Sequence, residues 1–205
     1  MHMDRWTMRA GLWALAILLL PCGEASADPA PELAGPREVI TQRYAVMDRI
    51  IASGAPVEAM RKEIQGSMGA FVDFTELARL TIRREWAGMT KKKRVEFAAL
   101  LQTLISRTYA KRFEPDHSLK VVFDGDAEIR KGRARLRTTV SSGRTTADVE
   151  YRMHQPPERP GWWTYDIVID DVSLMRNYRA QFQKILKDGG SVETLLERLR
   201  KQTSE

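Results

Sequence analysis

The chain has 205 residues, a formal net charge of +6, 43% hydrophobic residues and a single cysteine. One cysteine rules out a disulfide framework, so the fold must rest on its core, and this length suits one domain of ordinary size. The modest basic excess fits an acidic partner, an anionic membrane surface, or plain solubility.

The first residues read as an export leader. Arg5 and Arg9 precede an apolar run over residues 11–20, Pro21 ends the run, and Ala25, Ser26 and Ala27 place small residues where a signal peptidase reads. The run is shorter than the ~20 residues of a transmembrane helix. Cys22 raises a lipoprotein alternative, but Pro21 directly before it is a poor lipobox residue. Cleavage after Ala27 removes the cysteine and leaves residues 28–205 as one soluble domain with a bacterial periplasmic address. The leader carries Asp4 and Glu24 against Arg5 and Arg9, so the basic excess stays with the mature chain, and the export signal argues against nucleic acid as its partner.

Residues 28–35 form a proline-rich lead-in. A helix is predicted over 36–53, with Val39, Ile40, Met47, Ile50 and Ile51 on one face and Tyr44 between them. Gly54 stops it. Pro56 opens a short helix to Gln65, and Gly66 and Gly69 loosen the next connection. Asp73 with Glu76 forms a capping box, which starts a helix to Trp86. Thr90 caps a long helix to about Phe113. Its apolar stripe includes Val95, Phe97, Leu100, Leu101, Leu104, Ile105 and Tyr109, wide enough for burial on more than one side. Residues 91–94 are a basic run at its start, either a solvated face or a contact for acidic groups.

From Leu119 the period changes to two. Strands are predicted over 119–123, 127–130, 133–140, 146–153 and 162–169, with turns at Gly125-Asp126, at 141–144 and at 156–161. Alternation puts Leu136 and Val140, Val149 and Tyr151, and Tyr165, Ile167 and Ile169 on apolar faces, as expected of an antiparallel sheet with one wet side. Asp170-Asp171 breaks the last strand, and Ser173 caps a helix to Lys187 bearing Leu174, Tyr178, Phe182 and Ile185. Gly189-Gly190 ends it, and Ser191 caps a last helix with Leu195, Leu196 and Leu199. Helices, then a meander, then helices make an α+β fold in which the helices cover the sheet.

Little in this pattern points to chemistry. His117 and His154 lack zinc-ligand spacing. Nucleophile-elbow, P-loop and dinucleotide motifs are absent. Asp124, Asp126 and Glu128 begin like a calcium loop, but Ile129 and Arg135 stand where that loop needs Gly and Glu. Asp166, Asp170 and Asp171 read more simply as turn and helix-start residues than as paired acids. No catalytic residue, metal or cofactor is assigned.

Several stretches in order resemble the MlaC (toluene-tolerance, Ttg-type) auxiliary proteins of lipid ABC transporters. They are Asp73 to Leu80 with Trp86; Thr90, Arg94, Glu96 and Phe97; Thr108 and Tyr109; and the run from Trp162 through Tyr165, Asp166 and Ser173 to Asn177, Tyr178, Arg179 and Phe182. The likeness covers residues 39–201. The family pattern often has Glu-Gly where this chain has Asp170-Asp171, a departure that bears on turn geometry. Leu80 to Trp86 resembles the HpnM branch, associated with hopanoid biosynthesis.

The resemblance implies a monomeric periplasmic carrier that holds a phospholipid by its acyl chains in an apolar cavity between sheet and helices. It would exchange lipid with an outer-membrane lipoprotein complex and an inner-membrane MCE-domain ABC transporter. Two acyl chains hold about 30 methylenes, so exposing them costs on the order of 20 kcal/mol, which a soluble carrier must avoid. The lumen residues implied are Leu101, Leu104, Ile105, Tyr109, Leu136, Val140, Val149, Tyr151, Tyr165, Ile167 and Ile169. The same residues would equally close-pack as an ordinary core. A periplasmic adaptor with a filled core is therefore the rival reading, and an open-cone enzyme using His154 as base a weaker one. N-terminal sequencing of the exported protein is expected to begin at Asp28; an acylated Cys22 as first residue would overturn the leader assignment.

Overall fold

The computed structural model describes residues 34–115 and 117–204; the expected leader and cleavage site lie outside the described residues. Helix α1 (Pro36–Ile51) starts on a proline whose fixed φ suits the first turn, and it buries Ile40, Met47 and Ile51. Helix α2 (Val57–Met68) runs through Gly66 instead of ending at Gln65. Glycine costs about 1 kcal/mol inside a helix. Burying Met68 on the same face as Met60 and Ile64 outweighs that cost.

The helix expected to reach Trp86 breaks at Ile82 (φ −128°, ψ 48°) into α3 (Phe74–Thr81) and α4 (Arg83–Gly88). Ile82 is fully buried, and the Thr81 hydroxyl donates back to the Ala78 carbonyl at 2.7 Å. Arg94 then donates to the carbonyls of Trp86 and Ala87, satisfying the end of α4. Helix α5 (Lys91–Ala110) is capped by Thr90, which accepts from the Lys93 N–H, and ends three residues before Phe113. It packs against α2, α3 and the last helix, α7 (Val192–Ser204). Burial on several sides explains its wide stripe.

The strands are β1 (Leu119–Phe123), β2 (Glu128–Arg130), β3 (Arg133–Ser142), β4 (Thr145–His154), β5 (Trp163–Ile169) and β6 (Val172–Ser173). All pair antiparallel in the order β1-β3-β4-β5-β6, and β2 also pairs with β3. The residues around Gly125 do not reverse the chain as expected. β1 and β2 lie one after the other along the same edge of β3, and the loop between them bulges out to meet α1, where Arg37 donates to the Gly125 carbonyl at 2.7 Å. The opposite edge is covered too. Phe71 and Asp73 exchange backbone hydrogen bonds with Thr164 of β5 (2.8 and 2.7 Å), which leaves little free edge there.

One face of the sheet buries Ala134, Leu136, Val149, Tyr151 and Met153 beneath the helices, while Arg133, Arg135 and Arg137 stand exposed on the other. A bulge interrupts this alternation. Met153 pairs with Thr164 and Arg152 with Asp166, so Tyr165 is the extra residue. Thr164 takes the inner position. Tyr165 stacks instead on the outer face, against His154 (5.4 Å between rings) and beneath Arg133 (5.1 Å).

At the end of β5, Asp170 (φ 45°) and Asp171 (φ 64°) are both left-handed and join Ile169 to Val172 in a two-residue hairpin. That is the primed turn, which needs positive φ at both positions, and aspartate is one of the few non-glycine residues that tolerates it. Directly after β6, Ser173 caps α6 (Leu174–Lys187) by accepting from the Arg176 N–H. The completely buried Asp166 joins strand to helix. Its carboxylate accepts from Arg152 (3.1 Å), the Ser173 hydroxyl (2.7 Å) and the Met175 N–H (2.9 Å).

The apolar interior consists of two clusters. The larger joins α3, α5, α6, α7 and the sheet through residues such as Phe97, Leu101, Leu136 and Leu196. The smaller holds Met47, Ile51, Met60, Ile64 and Ala110 where α1 and α2 meet the end of α5.

Asp73, the α3 cap, accepts from the Glu76 N–H, His154 and Arg159. Burial pushes its pKa up, but the hydrogen bonds from His154 and Glu76 and the charge of Arg159 outweigh burial and hold it at about 2, below its ordinary 3.8. A depressed carboxylate stabilises the fold above its unfolded pKa and loses that contribution as pH falls through the folded value. Asp73→Asn is expected to cost roughly 2 kcal/mol in urea unfolding near neutral pH, with the gap to wild type closing between about pH 4 and pH 2. A gap independent of pH over that window would show that the charge is not what matters.

Candidate lipid-binding cavity

A cavity of about 460 Å³ lies along the seam between the two apolar clusters. That is within the ~300–1,000 Å³ of small-molecule sites. Its walls come from the inner sheet face (Val140, Ala147, Val149, Tyr151, Ile167, Ile169), from α1 (Ile40, Tyr44, Met47), and from Met68, Phe71 and Leu174. Tyr109, Phe113 and Leu119 close the side beyond the end of α5. Other clefts of similar size are lined by charge, for example Asp148, Glu150, Arg152 and Asp171 on the outer sheet face. Chemistry therefore singles out the first cavity where volume does not.

The walls are graded. Ile40, Met47, Phe71, Val149, Tyr151, Ile167 and Leu174 are buried, whereas Arg112, Glu114, His117 and Arg144 at the rim are exposed. Polarity thus rises from the interior toward the opening beside the β3–β4 hairpin tip. Among the walls, Tyr44 and Tyr151 join their hydroxyls in a hydrogen bond, with rings edge to face at 6.4 Å. Burial raises the Tyr44 phenol to about 12, against the opposing effect of its bond to Tyr151. Burial and the neighbouring Tyr44 raise Tyr151 well above its usual value. Burial likewise raises Tyr109, although Arg112 pulls it down. These phenols stay neutral near neutral pH, so the interior carries hydroxyls but no phenolate charge.

Six of the residues expected to face a lumen come together here: Tyr109, Val140, Val149, Tyr151, Ile167 and Ile169. Leu101, Ile105 and Leu136 instead sit fully buried in the filled part of the larger cluster, and Leu104 packs half-buried against it. Tyr165 lies outside, turned outward by the bulge. The wall contributed by α1 was missed, although Ile40, Tyr44 and Met47 recur at helical spacing and signalled an apolar face. His154 does not face the cavity; it is engaged on Asp73 at 3.1 Å. Of the basic run, Lys93 pairs with Glu193 at 2.6 Å and Arg94 holds backbone carbonyls. Among the described residues, no group of His, Cys, Asp and Glu is arranged to hold a metal, and no helix is long and apolar enough to cross a membrane.

A six-stranded antiparallel sheet with helices over one face encloses with them an apolar, solvent-open cavity of small-molecule size. The sequence matches the model of the MlaC protein family over residues 39–201, and the chain belongs to that family. The fold is similar to the solved structure of a phospholipid-binding protein from Ralstonia solanacearum in complex with a phospholipid. The TM-score is 0.69 at 20% identity, covering 82% of this chain and 94% of that one. Among curated proteins, no relative matches this sequence.

Removing one partner of a buried hydrogen bond strands the other, while removing both does not. Tyr44→Phe and Tyr151→Phe are each expected to cost about 1 kcal/mol in urea unfolding, and the double variant about as much as either single one. Additive losses would show that the two hydroxyls do not act as a pair.

Proposed function

We propose that this protein is a periplasmic lipid carrier. It encloses the acyl chains of a phospholipid in the cavity between sheet and helices and leaves the headgroup at the rim. In this reading it shuttles lipid between the outer and inner membranes as the auxiliary component of an ABC transporter. An inner-membrane MCE-domain complex and an outer-membrane lipoprotein complex are its partners. The observation that carries the proposal is the graded cavity, apolar inside and cationic at its mouth, which matches an amphiphile held tails-first. Membership in the MlaC family and the phospholipid bound by the Ralstonia neighbour support it. A hopanoid-related lipid is the alternative cargo, favoured by the wording of Leu80 to Trp86.

Protein purified from its native compartment is expected to carry membrane lipid near one per chain by native mass spectrometry. Lipid that binds only the folded state raises its stability by mass action, so delipidated protein should melt at a lower temperature. Ile167→Arg supplies a second readout. In a filled core it would bury an unpaired charge and unfold a marginal domain. Facing this cavity, the guanidinium can reach solvent, so a folded, lipid-free protein is expected by circular dichroism and mass spectrometry. An unfolded variant together with a wild type free of lipid would favour an adaptor with a filled core.

A further inference from the structure

The rim of the cavity is more basic than passage of a lipid tail requires. Arg43 of α1, Arg112 after α5 and Arg144 at the hairpin tip come from three separate chain segments and all line the cavity, Arg43 half-buried and the other two exposed. Elsewhere, Arg61, Arg79, Arg137, Arg152 and Arg200 pair with carboxylates, and Arg179 donates to the Leu80 carbonyl. The three rim arginines make no ion pair and no side-chain hydrogen bond among the described residues. Arg112 lies over the Tyr109 ring at 5.1 Å, and the Nε of Arg43 is shielded from water without an acceptor. A guanidinium N–H withheld from water and left unpaired costs free energy until an acceptor arrives. Glu114, a carboxylate at the rim among the described residues, is approached by Arg61 at 3.5 Å.

The rim is also fixed in place. The His117 ring packs on the hairpin tip so closely that a Cβ at Gly143 would lie 2.9 Å from its Nδ1, and the Ser142 hydroxyl donates to the His117 carbonyl at 3.3 Å. The loop after α5 and the tip that carries Arg144 are thereby held together.

We infer that Arg43, Arg112 and Arg144 form a phosphate-binding collar that gives the cavity a preference for net-anionic phospholipids over zwitterionic or uncharged amphiphiles. This rests on the lipid-carrier reading and names its cargo class. With the tails inside, the phosphodiester of a glycerophospholipid falls at the junction of apolar wall and rim, where guanidinium forks can meet its oxygens. A zwitterionic headgroup brings a cation into the same collar and forfeits part of that gain. An uncharged alcohol gains no charge pairing at all.

The test incubates the purified, delipidated protein with vesicles of equal parts dioleoyl phosphatidylglycerol and dioleoyl phosphatidylcholine, and reads the bound lipids by native mass spectrometry. Half-exposed ion pairs are individually modest, so an enrichment of about fivefold in phosphatidylglycerol is expected. The Arg43→Gln/Arg112→Gln/Arg144→Gln variant should lose that enrichment. Arg144→Gln alone, at an exposed tip, should lose part of it and provides the readout if the triple variant does not fold. A charge-matched control far from the rim, Arg83→Gln/Lys91→Gln/Lys92→Gln, should keep it. Wild type capturing both lipids in the vesicle ratio overturns the collar and leaves the carrier reading standing; capture of neither lipid overturns the carrier reading itself. A control that loses the enrichment as fully as the rim variant shows general vesicle attraction and overturns the collar. So does thermal stabilisation by inorganic phosphate alone without lipid preference, which would mark a site for the free anion.

Discussion

The arrangement of this protein depends on one buried carboxylate. Asp166 has no exposed surface, and a carboxylate so placed is tolerated only when it is paired and hydrogen-bonded. Arg152 meets it from the neighbouring strand, the Ser173 hydroxyl from the helix cap, and the Met175 N–H from the first turn of α6. These three contacts tie β4, β5 and α6 at one point and set how α6 leaves the sheet. Because α6 begins there, Leu174 becomes part of the cavity wall and Tyr178 and Phe182 enter the larger cluster.

The opposite wall is held differently. α1 contributes Ile40 to the larger cluster and Met47 and Ile51 to the smaller, so it straddles the seam. Polar contacts fasten it along its length: Arg37 to Gly125 and over the Phe123 ring, Tyr44 to Tyr151, and Asp48 accepting from the Leu119 N–H at 2.8 Å. One wall of the cavity is therefore part of the main core, and the other is a helix attached by separate bonds to the sheet and its edge.

Much of this frame was legible beforehand, because the signals were local. The alternation of β3, the caps at Asp73, Thr90 and Ser173, and the paired leucines of α7 each follow from neighbouring residues, and the structure carries all of them. The site was legible only in part, because its shape depends on events without a local signature. A single bulge opposite Arg152 and Met153 turns Tyr165 outward and leaves Ile167 and Ile169 inward, although all three share one alternating pattern. Leu101, Ile105 and Leu136 differ from Val140 and Ile169 only in which part of the interior is filled, and neither helical spacing nor strand alternation tells a packed wall from an open one. The Asp170-Asp171 hairpin looked like a departure from the family pattern, yet its two left-handed residues meet the backbone requirement of a tight primed turn.

The seam between the clusters also has a volumetric consequence. Apolar walls pack loosely against whatever fills the inner part of the cavity, so the fold occupies more space than its close-packed core would, and unfolding eliminates that excess. Hydrostatic pressure therefore acts against the empty form in proportion to the void that unfolding eliminates. A ligand that fills the cavity removes that excess volume, so the loaded and empty forms differ in compressibility as well as in affinity.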